Sequence, residues 1–148
     1  MPIPAFNEYG LLPQGVHDCT LEEAQNRFGL FSGTDHRARL FARLRAFVDE
    51  ARASGLVLSL LLDGSYVTAN PDPNDIDLVV VVAAEHDLSA DLSPAQYNVV
   101  SKRRVQKRFG FDMVAVREGT SEYADAVAFF QQVRRQPARK KGLLRIVL

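Results

Sequence analysis

Two short apolar runs constrain this chain more than any other feature. Residues 56–62 and 76–83 are rich in Leu and Val and are bounded by Gly, Pro, Asn and Asp. Runs of this length and composition predict two buried β-strands rather than helices. The first ends in Asp63-Gly64-Ser65, and the second opens with Asp75-Ile76-Asp77. Side chains alternate along a strand, so Asp75 and Asp77 are expected on the same side, two residues apart. Two carboxylates at the mouth of an apolar strand are costly to bury unpaired. A divalent cation relieves their repulsion, and oxygen ligands suit Mg²⁺.

The Gly64-Ser65 turn between these strands can present backbone N–H groups and a hydroxyl to phosphate oxygens, with glycine allowing close approach of the backbone. An ordinary connecting turn has the same composition. Asp63 reads as a turn residue or a neighbour of the site rather than a ligand. Asp72, between two prolines, reads as loop.

The remaining elements flank this centre. Residues 1–19, with Pro2, Pro4, Gly10, Pro13 and Gly15, predict an irregular N-terminal arm whose Leu11 and Leu12 cover the domain. Thr20-Leu21-Glu22-Glu23 is a capping box for a short helix that runs to about Phe28 and stops at Gly29. A longer helix is expected from Thr34 or Asp35 to Gly55. Leu40, Phe41, Leu44, Phe47, Val48 and Ala51 form its apolar face, and Arg37, Arg39, Arg43, Arg45 and Arg52 occupy much of the rest. Ser93-Pro94-Ala95-Gln96 opens another helix that should run to Gly110, with Tyr97, Val100, Arg104 and Phe109 inward. Its Lys102, Arg103, Arg104, Lys107 and Arg108 complement the helix dipole, or serve to hold a triphosphate or a nucleic-acid backbone. Residues 111–116 predict a third strand, and Asp112 near its start is a costly carboxylate. Thr120 or Ser121 caps a last helix, with Tyr123, Ala126, Val127, Phe130 and Val133 on its apolar face and Pro137 at its end. A basic run (Arg134, Arg135, Arg139, Lys140, Lys141) then precedes a final strand over 143–148, expected at the sheet edge. His36 and His86 are expected exposed, and His17 is either structural or catalytic.

These elements imply one α/β domain over residues 1–148, of the α+β kind, with a mixed, mostly four-stranded sheet and covering helices. The formal net charge is zero, yet residues 1–101 carry 6 Lys/Arg against 14 Asp/Glu and residues 102–148 carry 12 against 4. An acidic metal-binding half beside a basic half suits a protein that handles polyphosphate; solvated helix faces account for it equally. No stretch is apolar enough to span a membrane, and the N-terminus lacks signal-peptide features. The lone Cys19 has no internal disulfide partner, which fits a reducing cytoplasm and a small semi-buried side chain.

The central stretch resembles the nucleotidyltransferase superfamily that includes DNA polymerase beta. In that superfamily a Gly-Ser turn follows the first core strand and an Asp-x-Asp pair sits on the next. A third carboxylate comes from the strand after the following helix. Gly64-Ser65, Asp75-x-Asp77 and Asp112 stand at those places here. The segment Leu12-Pro13-Gln14-Gly15-Val16-His17, followed by Thr20, is similar to the start of a narrower group of small, mostly uncharacterised bacterial nucleotidyltransferase-like proteins. The likeness covers about residues 56–116, and the arm supports the narrower group.

The resemblance implies a polymerase-beta-like fold and an Mg²⁺-dependent nucleotidyltransferase, with Mn²⁺ as a substitute metal. Such an enzyme moves a nucleoside monophosphate from a nucleoside triphosphate to a hydroxyl of a protein, an RNA such as tRNA, or a small molecule. Asp75, Asp77 and Asp112 are then catalytic and metal-binding, and Gly64 and Ser65 bind the β- or γ-phosphate. Small members of this kind also imply a toxin–antitoxin or phage-defence setting, with acceptor recognition supplied by a partner protein or a homo-oligomer. The alternative is a binding module of the same fold, an antitoxin or regulator that acts by protein contact without catalysis. A third reading is a nucleic-acid-binding protein that uses the basic C-terminal third.

Overall fold

The computed structural model describes residues 3–29, 35–70, 73, 75–87, 89–133 and 136–148. Thr34, Asp72, Arg134 and Arg135 lie outside the described residues. The capping box forms as the sequence predicts. The Glu23 N–H donates to Thr20 Oγ1 at 3.0 Å, and the Thr20 N–H donates to Glu23 Oε1 at 2.9 Å. Helix α1 (Leu21–Phe28) follows and ends at Gly29. Helix α2 (His36–Ser54) buries the expected apolar stripe from Leu40 to Ala51 and closes on Gly55 at φ 67°. Its first turn also buries Arg37, which the sequence places on the surface.

Five strands form one mixed sheet: β1 (Gly15–Cys19), β2 (Val57–Asp63), β3 (Asp77–Val82), β4 (Asp112–Arg117) and β7 (Gly142–Val147), in the order β1-β7-β2-β3-β4. A separate two-stranded sheet pairs β5 (Gln132–Val133) with β6 (Gln136–Lys140). The expected four strands become five because the N-terminal segment is not wholly irregular. Residues Gly15 to Cys19 pair in parallel with Gly142 to Ile146. Strand β7 therefore lies inside the sheet, between β1 and β2, and β1 takes the edge.

Two expected helices are divided or shortened. The segment from Ser93 to Gly110 forms α3 (Pro94–Val100) and α4 (Lys102–Phe109), because Ser101 ends one and caps the next through the Arg104 N–H. Val99, Val105 and Phe109 point inward, whereas Tyr97 and Arg104 are exposed. Helix α5 (Ser121–Phe130) stops well before Pro137, and Val133 belongs to the β5–β6 hairpin.

The sheet is covered on two faces. Leu60, Leu62, Leu78, Val80, Val82 and Met113 join the large core built with α1 to α4. Leu61, Val79, Val81, Val116 and Leu143 form a smaller core under Tyr123, Ala126, Val127 and Phe130 of α5. Cys19 is buried, and burial, followed by the charges of Glu23 and Asp18, pushes its thiol up to about 12, so it is inert as a nucleophile at neutral pH. His86 is half-buried rather than exposed. No helix among the described residues is long and apolar enough to cross a membrane.

Strand direction places the chemistry. β2 runs antiparallel to both β3 and β7, while β4 is parallel to β3 and β1 is parallel to β7. The exit of β2 and the entries of β3, β4, β7 and β1 therefore share one end of the sheet.

Candidate active site

Three carboxylates stand in one row at that end. Asp63 on β2 is the register partner of Asp77 on β3, and Asp77 is the register partner of Asp112 on β4. Register partners on adjacent strands project to the same face about 5 Å apart. Two of the residues singled out by sequence, Asp77 and Asp112, are thus brought together by strand order. Asp63 joins them as a residue the sequence reading placed only near the site.

Asp75 lies just before β3, and the Gly64-Ser65 turn holds it. The Ser65 N–H donates to Asp75 Oδ1 at 2.8 Å, and the Ser65 hydroxyl donates to the same oxygen at 2.5 Å. The Tyr66 N–H donates to the Asp75 carbonyl at 3.1 Å. Gly64 has φ 95° and ψ 179°, a region that is essentially glycine's alone. A Cβ there would also lie 2.9 Å from the Asp75 carbonyl oxygen and 3.2 Å from the Asp77 nitrogen. Glycine therefore satisfies both the backbone angle and the close approach of β3. The turn donors face Asp75 in this arrangement rather than the open cleft.

These residues line a cleft of about 780 Å³. Its polar wall is Asp63, Gly64, Ser65, Asp75, Asp77 and Asp112, and its apolar side is Leu11, Phe129, Phe130 and Val133. Phe129, at the end of α5, is 66% exposed. Lys141, just before β7, places its ammonium 3.0 Å from Asp63 Oδ1. It is the only Lys or Arg among the described residues that line the cleft. In the sequence Lys141 is one of a basic run, and only the register of β7 beside β2 singles it out.

Charge is concentrated at Asp77. Burial first, then the charges of Asp75, Asp63 and Asp112, push its carboxyl up to about 6, against the opposing effect of Lys141. Burial also raises Asp63, and Lys141 offsets it. The donor set is entirely carboxylate oxygen, which suits Mg²⁺ or Mn²⁺ in charge and hardness. Among the described residues no group of three His, Cys, Asp or Glu side chains is arranged to hold a metal ion. Asp75 Oδ1 faces Ser65 and Asp63 Oδ1 faces Lys141, so the carboxylates spread along the cleft edge instead of closing on one point.

The N-terminal motif is structural. Leu12 is buried, and its carbonyl accepts the Gly142 N–H at 2.9 Å. His17 Nε2 lies 2.7 Å from the Pro13 carbonyl oxygen. The Gly15 N–H donates to Gln131 Oε1 at 2.7 Å, and the Lys141 N–H donates to the Gln131 carbonyl at 2.8 Å. A Cβ on Gly142 would fall 2.1 Å from the Pro13 carbonyl and 2.8 Å from His17 Nε2. Gly142→Ala is therefore expected to destabilise the fold by about 3 kcal/mol, since backbone must move to admit the methyl. Urea denaturation checks this, and a loss below about 1 kcal/mol contradicts the packing described.

The basic helix stands apart from the cleft lining. Arg108 forms a two-pronged pair with Glu50 of α2, and Arg104 donates to Asn98 and lies over Tyr97. These contacts give part of the cluster a structural role. His36 is half-buried and lines a small separate pocket with Arg39, Leu40, Arg43 and Pro73.

The profile of a family described as a family of unknown function (DUF6932) matches residues 4–147. The chain belongs to that family. The matched span contains the cleft residues described above, from Leu11 to Lys141. No curated protein and no solved structure matches the chain.

Proposed function

We propose that this cleft carries out Mg²⁺-dependent nucleotidyl transfer in a polymerase-beta-like fold. The observation that carries the reading is the register of Asp77 with Asp112 on adjacent strands, beside a Gly64-Ser65 turn that holds Asp75. Asp75, Asp77 and Asp112 are the residues that would hold the metal. When bound, Mg²⁺ or Mn²⁺ supplies neutralisation of phosphate charge and orientation of the triphosphate. An acceptor hydroxyl oxygen bonds to the α-phosphorus, the bond to the bridging oxygen breaks, and pyrophosphate leaves. Asp112, exposed at the outer end of the row, takes the acceptor's proton. The Ser65 amide and hydroxyl meet a phosphate oxygen once Asp75 turns away from them. The exposed Phe129 ring offers a face on which a base stacks. The acceptor is a hydroxyl of a protein, an RNA or a small molecule. A toxin–antitoxin or phage-defence setting belongs to the same reading.

One observation favours a second reading. The turn donors are already taken up by Asp75, which suits a binding module of the same fold that acts by protein contact. The two are separated by supplying α-labelled nucleoside triphosphates, Mg²⁺ and acceptors of each class. Label covalently attached to an acceptor, with equal release of pyrophosphate, supports the enzyme. Absence of label, with full biological activity in an Asp75→Ala, Asp77→Ala double variant, supports the module.

A further inference from the structure

Lys141 is held at the cleft with unusual care for one member of a basic run. Its backbone is fixed on both sides. Its own N–H donates to the Gln131 carbonyl, and the next residue, Gly142, is packed against Pro13 and His17 with no room for a side chain. The Leu12–His17 segment and the end of the β5–β6 hairpin therefore converge on the point from which this side chain departs. The side chain is 18% exposed, and that of Asp63 is 7% exposed.

The two form an ion pair, with the ammonium 3.0 Å from Asp63 Oδ1. An ammonium carries three N–H donors, so this one contact does not use them all. The same cleft is lined by four carboxylates: Asp63, Asp75, Asp77 and Asp112. A polyanion entering this cleft meets strong repulsion, and among the described lining residues one ammonium opposes it. Lysine is suited to the task because it is a compact point charge on a flexible stem, with three donors free to turn.

We propose that Lys141 is the polyphosphate-contacting cation of the cleft and that Asp63 is the partner that keeps it there. This rests on the nucleotidyl-transfer reading and adds a residue to it. A polyphosphate oxygen takes the ammonium's donors, and Asp63 remains beside it as the counter-charge. The competing role is simpler, with Lys141 serving only to neutralise buried Asp63.

Two variants separate these roles without leaving a lone buried charge. Asp63→Asn keeps the ammonium. The Asp63→Asn, Lys141→Met double variant removes both charges of the pair. The Mg²⁺ complexes of the four ribonucleoside triphosphates are titrated into wild type and both variants by calorimetry, and Mn²⁺ alone is titrated in parallel. Wild type is expected to bind at least one Mg²⁺–triphosphate, and Asp63→Asn to bind it at least as tightly. The double variant is expected to bind it at least tenfold more weakly, with Mn²⁺ affinity unchanged, and Asp63→Asn with Lys141→Arg is expected to restore most of the binding. Equal triphosphate binding by Asp63→Asn and the double variant overturns the assignment of Lys141 while leaving the nucleotidyl-transfer reading intact. Parallel loss of Mn²⁺ binding in the double variant also overturns it, because the defect is then in the carboxylate row. Failure of wild type to bind any triphosphate overturns the underlying reading and this assignment together.

Discussion

If the cleft carries out nucleotidyl transfer as proposed, Asp77→Asn is expected to abolish that activity, and it is expected to make the protein more stable. Burial first, then the charges of Asp75, Asp63 and Asp112, disfavour ionised Asp77 at the middle of the carboxylate row, and Lys141 opposes them. Ionising this side chain therefore costs the fold stability. On the proposed reading, removing its charge takes one carboxylate from the metal site, and transfer is expected to fall by about 10³-fold or more, or about 4 kcal/mol.

The effect on stability follows from linkage. The carboxyl rises from its usual 3.8 to about 6 in the folded chain. Well below pH 3.8 it is protonated whether folded or unfolded, and it contributes nothing to pH dependence. Between about 4 and 6 the unfolded chain releases a proton that the folded chain keeps, so stability falls as pH rises. Above the folded value the penalty is complete. At full strength the difference is about 3 kcal/mol, and solvent screening at this partly exposed group reduces it to about 1 kcal/mol. Asp77→Asn should thus unfold at higher urea than wild type at pH 7.5 and at nearly the same urea at pH 4. A variant less stable at pH 7.5, or active within tenfold of wild type, contradicts the placement of Asp77 at the centre of the site.

Arg37→Leu is expected to cost the fold about 3–5 kcal/mol, a large share of a typical domain's 5–15. Arg37 is 7% exposed. One guanidinium nitrogen donates to the carbonyls of Phe28 at 3.2 Å and Tyr66 at 2.7 Å. The other donates to Thr68 at 2.8 Å and Asn70 at 2.5 Å. Leucine fills much of the volume but removes the donor from the carbonyls of buried Phe28 and Tyr66. Three of the four carbonyls belong to the turn that follows Gly64-Ser65, so the same clamp shapes the segment that holds Asp75. Arg37→Lys should recover less than half of the loss, because an ammonium cannot span carbonyls arranged for a planar fork. Equilibrium urea unfolding measures both, and a leucine variant within about 1 kcal/mol of wild type contradicts the clamp.

The parts of this site that could be read in the sequence are those with local signals. The apolar runs, the Gly64-Ser65 break and the spacing of Asp75 and Asp77 are contiguous, and Asp112 sits at the start of its own strand. The capping boxes at Thr20 and Ser93 are also local, and both form. What escaped depends on neighbours far along the chain. Gly15 to Cys19 contain a glycine, a histidine and an aspartate and become a strand only because β7 offers them an edge. Asp63 and Lys141 come together only because β7 lies beside β2, and nothing near either residue in sequence encodes that pairing. Arg37 looks like any exposed arginine in a first helical turn until four distant carbonyls are placed around it. Ser101 did carry a local cap signal, but the basic residues after it match a continuous helix equally well.

The central claim is that Asp75, Asp77 and Asp112, with the Gly64-Ser65 turn, form a metal-dependent triphosphate site. The most direct test is a calorimetric titration of each nucleoside triphosphate into the wild-type protein, with and without Mg²⁺, beside Asp77→Asn. The account predicts binding that requires Mg²⁺, favours one base or more, and disappears in the variant. Binding that is equal in Asp77→Asn, or absent for every triphosphate in the presence of Mg²⁺ and of Mn²⁺, contradicts it.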